Sequence, residues 1–162
     1  MWRSQSISID TKIRLFNTTC VTVLLYGCDS WVLPVNMENK INAFATSCYR
    51  IMLNIKRLDR VSNAQVYEMT NTKPLINTVR QRQLRFLGHI LRMPEDEPCR
   101  RYALYVPTHG RRRPGRQRTS YISYVQKLLG DAENYLTQNA IASLATDRCA
   151  WRKFVVACSA AE

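Results

Sequence analysis

The sequence predicts an all-α protein, and three observations carry that reading. Apolar residues recur at steps of three and four over most of the chain, the spacing of a helix face. Only five Gly and six Pro interrupt 162 residues, and alternating apolar–polar runs, the mark of half-buried strands, are few. Cap-forming Ser, Thr and Asp residues stand in front of the periodic runs.

The elements follow in order. From Ile9 the apolar positions are Ile13, Phe16, Cys20, Val23 and Leu24, a first helix opened by Ser8 or Asp10 and closed by Gly27. A second helix runs from about Asn36 to Leu53, with Ile41, Phe44, Cys48, Ile51, Met52 and Ile55 as its apolar face. A third begins at Ser62, which has capping-box spacing with Gln65, and ends near Thr70. The fourth runs from Pro74, a residue suited to a first helical turn, to about Met93. Pro94 and Pro98 break the chain around Glu95-Asp96-Glu97, and a short helix spans Arg100 to Val106. Residues 107–118, PTHGRRRPGRQR, carry too many Gly, Pro and Arg for a packed element and read as an arm. Thr119 or Ser120 caps a further helix through Ile122, Val125, Leu128 and Leu129, ended by Gly130. The tail holds one or two helices anchored by Leu136, Ile141, Leu144, Trp151, Phe154 and Val155, with a fresh start at Thr146-Asp147. The expected organisation is an N-terminal helical bundle (1–106), a basic arm (107–118) and a C-terminal helical module (119–162).

Composition narrows the function. The chain carries 24 Lys+Arg against 12 Asp+Glu, a net charge of +12. Eighteen of the cations are Arg and six are Lys. The planar Arg fork suits phosphate and base stacking, so the expected partner is RNA and/or DNA. The 46% hydrophobic content argues against disorder. No apolar stretch approaches the ~20 residues of a membrane span, and no secretory signal is evident. The expectation is therefore an intracellular protein, in nucleus and/or cytoplasm, with no membrane and no small-molecule substrate. Six cysteines without a C-x-x-C pair read as free thiols in a reducing compartment.

The charge is concentrated. Residues 80–118 hold 11 Arg and three acidic residues, +8 of the total. On the fourth helix Leu75, Val79, Leu84, Phe86, Leu87, Ile90 and Leu91 fill one half of the wheel. Arg82, Arg85, His89 and Arg92 fall on one stripe of the other half, at steps of three, four and three. Like charges so placed repel by about 0.2–0.5 kcal/mol per pair, and no acid in that helix offsets them. A phosphate backbone would. His89 reads either as a hydrogen-bond donor among the arginines or as a packed histidine beside Gly88. The arm adds Arg111, Arg112, Arg113, Arg116 and Arg118, which read either as a strand-tracking contact or as a nuclear-localisation patch. Tyr102, Tyr105, Tyr121 and Tyr124 flank it, as stacking platforms or as half-buried anchors.

No catalytic constellation is visible. The acidic residues are scattered, and Glu95-Asp96-Glu97 lies between two prolines rather than on rigid elements around paired ions. No P-loop and no H-E-x-x-H is present. His89, Cys99 and His109 are ten residues apart, which fits no ordinary zinc spacing. Neither metal nor cofactor is expected.

Four stretches resemble the C-terminal part of reverse transcriptases of non-LTR (LINE-type) retrotransposons. They are ISIDTKIRLFNTTCVTVLLYGCDSW (7–31), the helix around Cys48-Tyr49-Arg50-Ile51-Met52, RQRQLRFLGHILRMP (80–94), similar to the family's RR.LR.LGH..RM, and GRRRPGRQRTSY (110–121) with DRCAWR (147–152). The resemblance implies the thumb and the extension after the polymerase palm, which help to hold RNA template and target-primed DNA. It places Arg82, Arg85, His89, Arg92 and the 111–118 arginines in the gripping part, and implies a full-length reverse-transcriptase palm as a further partner. The paired aspartates of the palm are absent, so the implied role is non-catalytic nucleic-acid binding. The alternative is a structural or interaction remnant of a transposable element with no activity of its own.

Overall fold

The computed structural model describes residues 2, 4, 6–105, 120–129 and 138–160, and only the backbone of 138, 139, 159 and 160. Among them are helices and turns and no strand, so the all-α expectation holds. The chain forms two compact units, Met1–Gly27 with Pro34–Thr78 and Cys28–Leu33 with Val79–Glu162. The sequence reading set its boundary at 107–118, which lies outside the described residues; the division between the two units runs through a helix, after Thr78.

In unit 1, α1 (Ile9–Phe16) starts at Ser8, whose hydroxyl accepts the Thr11 amide at 3.3 Å. The expected single helix to Leu24 is interrupted by a π turn, Asn17–Val21, before α2 (Thr22–Leu24). Its cause is a run of threonines. Thr18 Oγ1 donates to the Arg14 carbonyl (2.9 Å), Thr19 Oγ1 to Leu15 (2.6 Å) and Thr22 Oγ1 to Asn17 (3.1 Å). Such hydroxyls compete for the carbonyls of the helix ladder, and the widened turn accommodates one extra residue. That residue advances the buried face by one position. Ile13 and Phe16 are followed inward by Val21 and Leu25, while Cys20 and Leu24 are half-buried and Val23 is exposed. Gly27, at φ 67°, then turns the chain as a left-handed residue must.

α3 (Val35–Met52) buries only part of the expected face, Ile41 and Met52, and adds Ala45 and Tyr49. Ile41, Ala45, Tyr49 and Met52 point inward, whereas Phe44 and Ile51 are exposed and Cys48 is half-buried. Phe16 pairs edge-to-face with the buried Tyr49, centroids 5.5 Å apart, and meets Phe44 at 6.2 Å in a tilted contact at the exposed edge. At its end the amides of Leu53, Asn54 and Ile55 return to the carbonyls of Tyr49, Ile51 and Arg50, with Asn54 left-handed at φ 55°. Arg50 reaches the Val61 carbonyl and Asn63 Oδ1, each at 2.9 Å. α4 (Asn63–Met69) opens on the expected capping box: the Gln65 amide donates to Ser62 Oγ and the Ser62 amide to Gln65 Oε1.

α5 (Leu75–Leu91) gives its first turn to unit 1 and the rest to unit 2. Unit 2 also contains α6 (Pro98–Ala103), α7 (Tyr121–Leu129), α8 (Gln138–Thr146) and α9 (Arg148–Ala160). Its core joins Leu84, Leu87 and Leu91 of α5 to Tyr124, Val125 and Leu129 of α7, Ile141 and Ala145 of α8, and Trp151 and Val155 of α9. Asp147 starts α9 by accepting the amides of Cys149 and Ala150. The Trp151 indole N–H donates to the Leu84 carbonyl at 3.0 Å, across the flat surface left by Gly88. Gln83, with no exposed surface, donates to the carbonyls of Cys28 (3.1 Å) and Trp31 (2.9 Å) and accepts from Tyr124 OH (3.1 Å).

Two outcomes follow from this packing. A Cβ at Gly88 would overlap the Trp151 indole, so Gly88→Ala forces the helices apart and costs on the order of 2–3 kcal/mol, read as a lower midpoint in urea. Tyr121 OH donates to the Asp29 carbonyl at 3.4 Å, and its pKa is pushed up to about 12, first by burial and then by the negative charge of Asp29 and by Tyr124. A raised folded pKa means stability that is full below the ordinary value of 10 and is lost as pH rises through about 12. Stability should thus fall more steeply between those values in the wild type than in Tyr121→Phe, by denaturation at stepped alkaline pH.

Candidate nucleic-acid interface

The four α5 stripe residues differ in setting. Val79, Gln83, Leu84, Leu87, Gly88, Ile90 and Leu91 turn inward, and that inward face fixes what the others can do. Arg85 and His89, four residues apart, are exposed, and their side chains have no partner among the described residues. Arg82 and Arg92 are half-buried on the two shoulders of the same face. Arg92 donates to the Ala145 carbonyl of α8 at 2.9 Å, and its Nε is buried without a partner among the described residues. Arg82 hydrogen-bonds the Cys28 thiol. Burial pushes that thiol up, Asp29 pushes it further, and Arg82 draws it partly back. Phe86, read as core, lies at the open edge with 37% of its surface exposed.

The flanking tyrosines divide in the same way. Tyr124 is buried on Gln83 and Tyr121 is half-buried on Asp29. Tyr102 and Tyr105 are 81% and 63% exposed, next to the exposed Arg101. Arg100 instead turns back to the Met93 carbonyl and to Glu95, 3.3 Å away. Arg111, Arg112, Arg113, Arg116 and Arg118 lie outside the described residues.

Sequence reasoning passed over three exposed cations of α9: Arg148, Arg152 and Lys153. The signal was present. With Trp151, Phe154, Val155 and Cys158 on one side of a helix, positions 152 and 153 turn away from it, whereas Arg148 is exposed as the first residue of α9. Among the described residues no three His, Cys, Asp or Glu side chains converge as metal ligands would, and no helix is long and apolar enough to cross a membrane. Among its described residues unit 2 thus offers exposed cations, exposed phenols and a solvated histidine, a set that can bind phosphate and stack on a base.

Residues 1–26 match a family model described as a domain of unknown function (DUF6451). No curated protein and no solved structure matches the chain.

The different settings of the arginines predict different costs. Arg92→Ala removes the bond to Ala145 and should lower the unfolding free energy by about 1–2 kcal/mol. Arg85→Ala, at an exposed site, should change it by less than about 0.5 kcal/mol. Urea denaturation of both variants measures the contrast.

Proposed function

We propose that the chain is a non-catalytic nucleic-acid-binding module similar to the C-terminal region of a LINE-type reverse transcriptase, acting in nucleus and/or cytoplasm, with unit 2 making the contact. One observation carries this reading. Arg85 and His89 on α5 and Arg101 on α6 stand exposed without side-chain partners among the described residues, and the exposed Tyr102 and Tyr105 follow Arg101 in the chain, just before the arginine-rich 111–118 segment. Cations supply sequence-independent affinity for the phosphate backbone, and exposed phenols supply stacking on unpaired bases. Arg82, bonded to the Cys28 thiol, and Arg92, bonded to the Ala145 carbonyl, hold the helix in place. Polymerisation would fall to a separate palm.

Binding should be micromolar or weaker, with log K falling against log salt by roughly 0.7–0.9 per phosphate contacted. In fluorescence titrations with single-stranded RNA and DNA at two salt concentrations, the pair Arg85→Ala and Arg101→Ala should weaken binding more than Arg14→Ala and Arg57→Ala, exposed cations of unit 1. Equal losses would reduce the effect to bulk charge, and salt-independent binding would sink the proposal.

A second reading rests on unit 1, which leaves Val23, Tyr26, Val35 and Leu58 strongly exposed. Apolar side chains so exposed suit a structural role against another chain, such as a polymerase palm. Concentration-dependent self-association of the purified chain favours that reading, and a monomer at all concentrations counts against it.

A further inference from the structure

We propose that unit 1 holds a soft monovalent metal ion, of the cuprous class, between the sulfurs of Cys20, Cys48 and Met52. All three residues line one cavity of about 80 Å³, together with Trp2, Phe16 and Phe44. Two elements meet there. Cys48 and Met52 stand four residues apart on α3, so they share a face of that helix. Cys20 comes from the π turn, Asn17–Val21. The extra residue of that turn sends Val21 and Leu25 inward and leaves Cys20 half-buried on the shoulder of the buried face, at the cavity wall. The two thiols are near enough to act on each other. Burial pushes the Cys48 thiol up, and the charge of Cys20 pushes it further. The other cysteines are placed differently: Cys28 is bonded to Arg82, Cys99 and Cys149 are exposed, and Cys158 lies in unit 2.

The donor set selects the ion. Thiolates and thioethers are soft ligands, which favour cuprous ion over hard cations. Among the described residues no carboxylate, imidazole or hydroxyl side chain lines the cavity, so calcium and magnesium, which take oxygen ligands, find none there. Three sulfurs also fall short of the four donors of structural zinc. The cavity is far smaller than the roughly 300–1,000 Å³ of a pocket for a drug-sized molecule, which suits a single ion rather than an organic ligand. Its aromatic walls limit water, and Phe44, which is exposed, marks the side on which an ion enters. Entry breaks the S–H bond of each thiol and forms two copper–sulfur bonds, with the thioether as a third donor. Two protons leave to solvent and the copper stays cuprous. The site lies wholly in unit 1 and does not rest on the nucleic-acid reading of unit 2.

The test is an anaerobic titration of the fully reduced full chain with cuprous ion, in competition with a coloured cuprous chelator. The reference protein carries Cys99→Ser and Cys149→Ser, which remove the exposed thiols. One equivalent of tight binding is expected, with two protons released per ion in weakly buffered solution and only sulfur neighbours in copper X-ray absorption. Added to the reference, Cys20→Ser or Cys48→Ser should each abolish that equivalent, and Cys158→Ser should leave it unchanged. Met52→Leu keeps the apolar volume and should weaken binding by about tenfold or more, at least what outer-shell changes cost at metal sites. That variant decides the matter if the serine variants fail to fold. The thermal midpoint of the reference should also rise with one equivalent of silver(I), a redox-inert ion of the same charge, and rise less in Met52→Leu. Absence of a tight equivalent, equal binding by the Cys48→Ser and Cys158→Ser variants, zinc binding as tight as copper, or nitrogen or oxygen neighbours at the copper overturns the proposal.

Discussion

A single buried carboxamide organises unit 2. Gln83 lies in line with Val79 and Leu87 on the inward face of α5, has no exposed surface, and fills its hydrogen-bonding capacity from two directions. Its nitrogen binds the carbonyls of Cys28 and Trp31, and its oxygen accepts the Tyr124 hydroxyl. A buried polar group is tolerated only when paired, so these bonds fix where the 28–33 segment and α7 meet α5. An apolar residue of similar size would pack there, but it would remove the Gln83 bonds to the Trp31 carbonyl and the Tyr124 hydroxyl and one of the two donors that the Cys28 carbonyl accepts. Tyr121, bonded to Asp29, adds a second tie between α7 and that segment.

The rest of α5 is arranged around that constraint. Gly88 allows the Trp151 indole to lie against the helix and donate to the Leu84 carbonyl. Arg92, four residues further on, then meets α8 at Ala145. With those positions taken, Arg85 and His89 are the stripe residues left facing solvent. The same helix therefore serves as core, as brace and as the presenter of cations, and the role of each arginine depends on its angle from Gln83 and Gly88 rather than on its charge.

The sequence reading was strongest where the signal is local. The capping box at Ser62 and Gln65 and the start at Asp147 depend on side chains within three residues of the amides they bind. It went astray at α1 because three threonine hydroxyls add a residue to one turn, a shift that a fixed 3.6-residue period cannot anticipate. On α3 it favoured the largest apolar residues, whereas Ala45 and Tyr49 are buried and Phe44, although in ring contact with Phe16, and Ile51 stay largely exposed. The cationic stripe on α5 was legible as a direction on a helix. Which of its members bond carbonyls or thiols was not, because those partners come from α8 and from the 28–33 segment.

By itself the sequence determined the helical class, most helix starts and the concentration of arginine in 80–118, since periodicity, caps and composition act over a few residues. Only the tertiary structure decided which arginines remain open, that Gln83 belongs in the core, and that Cys20, Cys48 and Met52 line one cavity. Those outcomes depend on groups distant in the chain competing for the same surface and the same hydrogen bonds, and that competition is settled when the helices pack.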